Sequence, residues 1–255
     1  MDRMKVLITN DDGIESNGLQ ALVEEFSRIA DVYVVAPEGE RSSNSHHLKL
    51  RGKVRIEERK LEGALKAYAL WGTPADCVHL SLRFLFEDQI DLVVSGINRG
   101  LNVSSDLIYS GTAAAAREAY IQGVPSIAVS LQFSLDNDFR TAARYARILG
   151  MKYLEKRKKN YYLNINVPDL KDEDIKGVLV CDRLTRITYS ENITMGSEDG
   201  KDYINIVSSH MKPNEDTEDL RIDRNAVGMG YVAVSPLGNI HVLDDCIEDV
   251  KDILK

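Results

Sequence analysis

Cysteine is scarce in this chain. Cys77, Cys181 and Cys246 are the only three among 255 residues, odd in number and far apart. They show no Cys-x-x-Cys spacing and offer no disulfide framework, so they read as reduced, mostly buried thiols of a cytoplasmic protein. No apolar run approaches membrane-spanning length, and there is neither an internal repeat nor a low-complexity tract. The chain enters a strand pattern at Lys5, which leaves no room for a signal peptide. Basic residues are outnumbered, 32 against 40 acidic, for a net charge of −8. That excludes non-specific binding of nucleic acid. It leaves a small anionic substrate open, because a bound metal inverts the local field.

What is present is a βαβ rhythm. Lys5-Val6-Leu7-Ile8-Thr9 is a buried-strand pattern that stops at Asn10-Asp11-Asp12-Gly13. Leu19, Leu22, Val23, Phe26 and Ile29 then recur at helical spacing. A second strand spans 31–36, with Pro37 and a polar loop after it. Residues 48–71 alternate with period two (Leu48-Lys49-Leu50, Val54-Arg55-Ile56) and read as an antiparallel insertion at the sheet margin. Thr73 as N-cap and Pro74 at the first helical position start another helix. Strands at 91–96, 124–130 and 161–168 alternate with helices at 113–121 and 139–154. This predicts a doubly wound, mostly parallel, Rossmann-like α/β core over residues 1–168. Residues 169–255 differ: short strands at 178–181, 203–207 and 231–235, an acidic loop at 215–219, and a terminal helix carrying Cys246, Ile247, Val250, Ile253 and Leu254.

In an open α/β sheet the C-terminal strand ends converge on one crevice. Asp11 and Asp12 follow the first strand, Ser42 the second, and Asn98 the strand at 91–96. Adjacent carboxylates repel unless a cation sits beside them. Two carboxylates, a hydroxyl and an amide oxygen form an all-oxygen set suited to Mg²⁺, Mn²⁺ or Ca²⁺ rather than to structural zinc. Ser110-Gly111-Thr112 opens a helix, where free N–H groups and the helix dipole favour an anion, and Gly111 permits close approach of a phosphate. The alternative, that Ser110 or Thr112 is only an N-cap, stands beside it. Together these parts suit phosphate-ester hydrolysis. Arg41 and Arg99 read equally as phosphate contacts or loop braces, and Asp106 as an acid–base group or a brace. Tyr109 reads as a pocket wall or packing. Asp76 needs only the helix dipole to explain it. His46 and His47, being adjacent, point apart and read as polar-loop residues. His210 and His241 receive no role.

Five motifs in order carry a resemblance. Thr9-Asn10-Asp11-Asp12-Gly13-Ile14, Val35-Ala36-Pro37 with Arg41-Ser42, Gly72-Thr73-Pro74-Ala75-Asp76-Cys77-Val78, Val94-Ser95-Gly96-Ile97-Asn98-Arg99-Gly100 and Tyr109-Ser110-Gly111-Thr112 closely resemble the SurE (survival protein E) family. Asn164-Ile165-Asn166-Val167-Pro168 and the stretch from Gly230 to Leu237 resemble its later landmarks. The resemblance implies a metal-dependent 5′-nucleotidase, often acting on 3′-monophosphates too and in some members on short polyphosphate. It implies one divalent ion (Mg²⁺ or Mn²⁺) per subunit on Asp11, Asp12, Ser42 and Asn98, with Asp11, Asp12 and Asn98 catalytic. Phosphate contacts are implied at Asn98, Ser110, Gly111 and Thr112. It further implies a homodimer or homotetramer using the segment after Pro168. Two departures stand out. The family usually has Gly-Pro-Asn-Leu-Gly where this chain has Gly100-Leu101-Asn102-Val103-Ser104, and many relatives carry a Tyr-Trp pair near Asp202-Tyr203-Ile204.

An aspartyl-nucleophile phosphatase is disfavoured, since it needs Asp-x-Asp after strand one. A phospho-receiver module needs an acceptor aspartate where this chain has Ser95-Gly96. A non-catalytic, metal-dependent nucleotide-binding regulatory protein remains the alternative.

Overall fold

The computed structural model describes residues 3–86, 90–156, 160–213 and 218–238. Strand β1 (Lys5–Thr9) lies in the middle of a nine-stranded sheet. Its Val6, Leu7 and Ile8 are fully buried, as expected of a parallel strand covered on both faces. Helix α1 (Asn17–Ser27) is capped by Ser16, whose hydroxyl accepts from Leu19 N, and buries Leu19, Leu22, Val23 and Phe26. Next come β2 (Asp31–Pro37), β3 (Ile56–Arg59), β4 (Lys66–Leu70) and α2 (Pro74–Leu80). They are followed by β5 (Leu92–Arg99), a 3₁₀ turn (Ser104–Ile108), α3 (Gly111–Ile121), β6 (Ser126–Leu131), α4 (Arg140–Glu155) and β7 (Tyr162–Val167). The rest of the described chain forms β8 (Val178–Val180), β9 (Ile187–Glu198), β10 (Lys201–Pro213), α5 (Asp223–Gly228) and β11 (Val232–Leu237).

The sheet order is β3-β4-β2-β1-β5-β6-β7-β11-β8. From β4 to β7 every neighbour runs parallel. The chain moves outward from β1 through β2 to β4, then returns to β5 on the other side of β1. The switch point of the doubly wound sheet therefore lies between β1 and β5, where such folds bind ligands. Helices α1 and α4 cover one face and α2 and α3 the other. Phe26 and Ala146 belong to the first cluster, and Cys77, Val78, Ala115 and Ala119 to the second.

Three stretches differ from the expectation. Within 48–71 only β3 pairs antiparallel, whereas β4 joins β2 in parallel and extends the main sheet. Leu48-Lys49-Leu50 lies outside any strand, because Lys49 N donates to Asp76 Oδ1 (2.7 Å) and Leu50 faces solvent. After Pro168, β11 pairs antiparallel with β7 and parallel with β8, so part of this segment completes the main sheet. The strand read at 203–207 is the middle of β10, which pairs with β9 in a separate two-stranded sheet. The expected terminal helix, with Cys246, lies outside the described residues. Cys77 and Cys181 are buried free thiols.

The end of β5 depends on Gly96. Its φ is +142°, and a Cβ there would lie 2.4 Å from the Val129 carbonyl oxygen on β6. Gly96→Ala is expected to destabilise the protein by about 2 kcal/mol or more, through overpacking and backbone strain, read as a lowered urea midpoint at unchanged slope.

Candidate active site

The site begins where β1 turns. Asn10 Nδ2 donates to Gly13 O (2.9 Å) and Ser16 Oγ (2.6 Å), and Gly13 N returns a bond to Asn10 Oδ1 (3.2 Å). Ile14 N donates to Pro37 O (2.9 Å), tying the turn to the end of β2. This framework fixes Asp11 and Asp12 at the switch point. Asp11 is buried and accepts from Thr112 Oγ1 (2.6 Å). Burial pushes its carboxyl up to about 6; the Thr112 hydroxyl and backbone N–H oppose that, and the neighbouring Asp12 charge adds to it. Asp12 is also raised, mainly by burial and further by Glu40, against the backbone N–H and charge of Arg99. Both acids are thus held where a negative charge is unfavourable without a cation.

Asp11, Asp12, Ser42, Asn98 and Ser110 all line one cleft of about 1120 Å³. Asn98 Nδ2 donates to Gly100 O (2.7 Å), which leaves the amide oxygen for a ligand. Ser42 Oγ donates to Glu40 Oε1 (2.8 Å). Among the described residues no three His, Cys, Asp or Glu side chains converge to hold a metal. An ion here would depend on the neutral oxygens of Ser42 and Asn98 as well as on the two carboxylates. That donor set fits a hard divalent cation.

The turn at Ser110 is arranged differently from its simplest reading. Ser110 Oγ caps α3 by accepting from Ala113 N (3.0 Å). Thr112 is fully buried, with its hydroxyl on Asp11. A Cβ on Gly111 would lie 3.0 Å from Asp11 Cβ and from Oδ2. The group that approaches Gly111 closely is therefore the Asp11 carboxylate, and part of the helix N-terminus is taken up in holding it. Arg99 acts as a brace. Its Nη2 donates to Ser134 O and Leu135 O (both 2.9 Å), its Nε to Asn137 Oδ1 (3.3 Å), and its guanidinium lies over Phe133. It thereby fixes a cleft wall of Leu135, Asp136, Asn137 and Phe139 that the sequence alone did not indicate. Asp106 and Tyr109 line the cleft, and Asp76 closes a capping box with Thr73.

A family model described as Survival protein SurE matches residues 6–190. The chain belongs to the SurE family. Among similar SurE proteins, the "5'-nucleotidase SurE" of Clostridium botulinum (strain Alaska E43 / Type E3) is 39% identical over 239 residues, covering 92% of this chain and 93% of that protein. The protein of the same name from Clostridium beijerinckii is 40% identical over 240 residues, covering 92% of each chain. The crystal structure of the SurE protein from Aquifex aeolicus superposes with a TM-score of 0.82 at 33% identity, covering 98% of this chain and 100% of that one.

This SurE chain accommodates its unusual loop by hydrogen bonding. Ser104, in the loop before Asp106, adopts φ +53°, in the left-handed region. Its N–H and hydroxyl both donate to the buried Asp223 carboxylate (2.9 Å each), and its Oγ accepts from Thr185 N (3.1 Å). The loop that leads to Asp106 and Ser110 is thereby fastened to the C-terminal segment.

A further node escaped the reading of motifs. Glu118 on α3 is buried, with Oε2 2.9 Å from His46 Nε2, and with Oε1 2.8 Å from both His79 Nδ1 and Gln122 Nε2. Burial opposes its charge, but the bonds from His46, His79 and Gln122 outweigh it and pull the carboxyl from 4.5 down to about 2. Because the folded value lies below the unfolded one, this stabilisation is present above pH 4.5 and is lost as pH falls through about 2. Glu118→Gln is expected to cost up to about 3 kcal/mol at neutral pH. The difference from wild type should shrink as pH falls below 4.5, in urea unfolding followed at a series of pH values.

Proposed function

We propose that this chain is a divalent-metal-dependent phosphomonoesterase that hydrolyses nucleoside 5′-monophosphates, and 3′-monophosphates as well, to nucleoside and phosphate. The observation that carries this reading is that Asp11, Asp12, Ser42 and Asn98 line one cleft at the β1/β5 switch point, with Ser110 at the start of α3 in the same cleft. The relatives named 5′-nucleotidase SurE supply the substrate class. Mg²⁺ or Mn²⁺ would be held by Asp11, Asp12, Ser42 and Asn98. When bound it supplies Lewis-acid polarisation of a phosphoryl oxygen and acidification of a water. The chain's own groups do the rest. Thr112 orients Asp11, Asn98 presents its amide oxygen, and Ser110-Gly111 brings the positive end of α3 to the phosphate side of the cleft. The wall braced by Arg99 faces the remainder of the substrate. Short polyphosphate is a further substrate of this reading, for which a neighbouring groove that shares Ser42 and Glu40 offers Arg41 and Lys49 beside Asp76.

The protein also works as a homodimer or homotetramer in this reading, with nucleoside monophosphate as its small-molecule partner. The β9–β10 ribbon supports self-association. Ile193 pairs with Ile206 and Met195 with Ile204 across the two strands, and all four are exposed. An isolated two-stranded ribbon with an apolar exposed surface is poorly stable on its own. Among the described residues no helix is long and apolar enough to cross a membrane.

The deciding assay is phosphate release from AMP and GMP with and without Mn²⁺, comparing wild type with Asp11→Asn. Wild type should release phosphate only with metal. Tight nucleotide binding without metal-dependent release would assign the chain to the non-catalytic regulatory alternative. Asp12→Ala and Asn98→Ala should each lower turnover by about 100-fold or more, with unchanged circular dichroism. Ile204→Glu combined with Ile206→Glu should reduce the molar mass measured by light scattering to that of a smaller assembly, while the far-ultraviolet spectrum is retained.

A further inference from the structure

Ser42 is the least anchored of the four oxygen donors. It is exposed, and its hydroxyl reaches only Glu40 among the described residues. Its position must therefore be set by the chain on either side. Upstream, Arg41 N donates to Asp11 O (2.7 Å). Downstream, Ser43 and Ser45 both hold positive φ, at 57° and 52°, so the loop is bent into a shape it would not keep unaided. Ser45 N donates to Tyr109 O (2.9 Å) and Ser45 Oγ to Ile108 O (2.7 Å). His46 then reaches Glu118 at 2.9 Å.

Glu118 belongs to α3, the helix whose first turn holds Asp11 through Thr112. A buried carboxylate is tolerated where hydrogen bonds satisfy both of its oxygens. Here its two oxygens are divided. Oε2 goes to His46 on the Ser42 loop, and Oε1 goes to His79 on α2 and Gln122 on α3. The same helix thus references both Asp11 and the loop of Ser42.

We infer that Glu118 and His46 are positioning residues for the metal site, strapping the Ser42 loop to α3 so that Ser42 and Asp11 keep a fixed separation. This rests on the metal-dependent function proposed above. His79 supplies an internal control, since it bonds the same carboxylate at 2.8 Å but stands on α2 and not on the Ser42 loop. A purely structural node would respond alike to loss of either histidine.

Mn²⁺ binding is to be measured directly, by calorimetry and by electron paramagnetic resonance, on the full chain. The set comprises wild type, His46→Ala, His79→Ala, Glu118→Gln and Asp11→Asn. His46→Ala and Glu118→Gln should weaken Mn²⁺ binding by about tenfold or more, the range seen when partners of metal ligands are removed, with most of the turnover recovered at saturating Mn²⁺. His79→Ala should lower the melting temperature but keep Mn²⁺ affinity within about twofold of wild type, well below the loss expected for a ligand's support. If His46→Ala binds Mn²⁺ as wild type does, or if His79→Ala loses as much affinity, the strap is overturned. Failure of the metal site itself gives a different result. A wild type that binds no Mn²⁺, or an Asp11→Asn variant that binds it undiminished, overturns the metal site and the strap together. Should Glu118→Gln fail to fold, the comparison of the two histidine variants decides the matter alone.

Discussion

Two adjacent carboxylates at the end of a buried strand repel each other and lose hydration together, and the surroundings of Asp11 and Asp12 are built to hold them there. Asn10 closes the turn on one side. Thr112 donates to Asp11 from the other, across the whole span between β1 and α3. The Arg99 backbone N–H supports Asp12. None of these supplies a full countercharge, and both acids stay raised. The frame therefore restrains the pair without neutralising it, which is the condition a cation site requires.

The sheet explains why so many supports reach one point. Because the chain reverses direction between β1 and β5, their C-terminal ends diverge into loops on opposite sides and leave a crevice between them. Asn98 and Arg99 are consecutive residues at the end of β5, yet they serve different parts of that crevice. Asn98 lines the cleft with the two carboxylates, whereas Arg99 holds Ser134, Leu135 and Asn137. A single strand end thus positions both a cleft-lining amide and a wall.

Much of this was legible from one-dimensional pattern. Buried strands read as apolar runs, so their ends could be located, and Asp11, Asp12, Ser42 and Asn98 followed from those ends. What was not legible depended on contacts distant in sequence. Thr112 looked like a phosphate contact or a cap. Its bond to Asp11 exists only because α3 starts against the end of β1, 101 residues away in the chain. Glu118 sits in an alanine-rich helix, and its partners His46 and His79 lie 72 and 39 residues upstream. Strand β9 was invisible for another reason. Ile187, Tyr189, Ile193 and Met195 do fall on one two-residue register, but Glu191 interrupts it, and the strand pairs only with β10.

The bond between Ser104 and Asp223 joins residues 119 apart, and β11 is the strand that covers the otherwise open side of β7. During synthesis, then, the amino-terminal strands can pair long before this loop is fastened. A chain stalled just short of Asp223 would carry the carboxylates, the Ser42 loop and α3, but its β7 edge would lack a neighbour and its left-handed Ser104 would lack its acceptor. Such an edge is a template for pairing with other chains. The order of translation thus places this tether after the pairing of the amino-terminal strands, and the loop before Asp106 is secured only once Asp223 has been made.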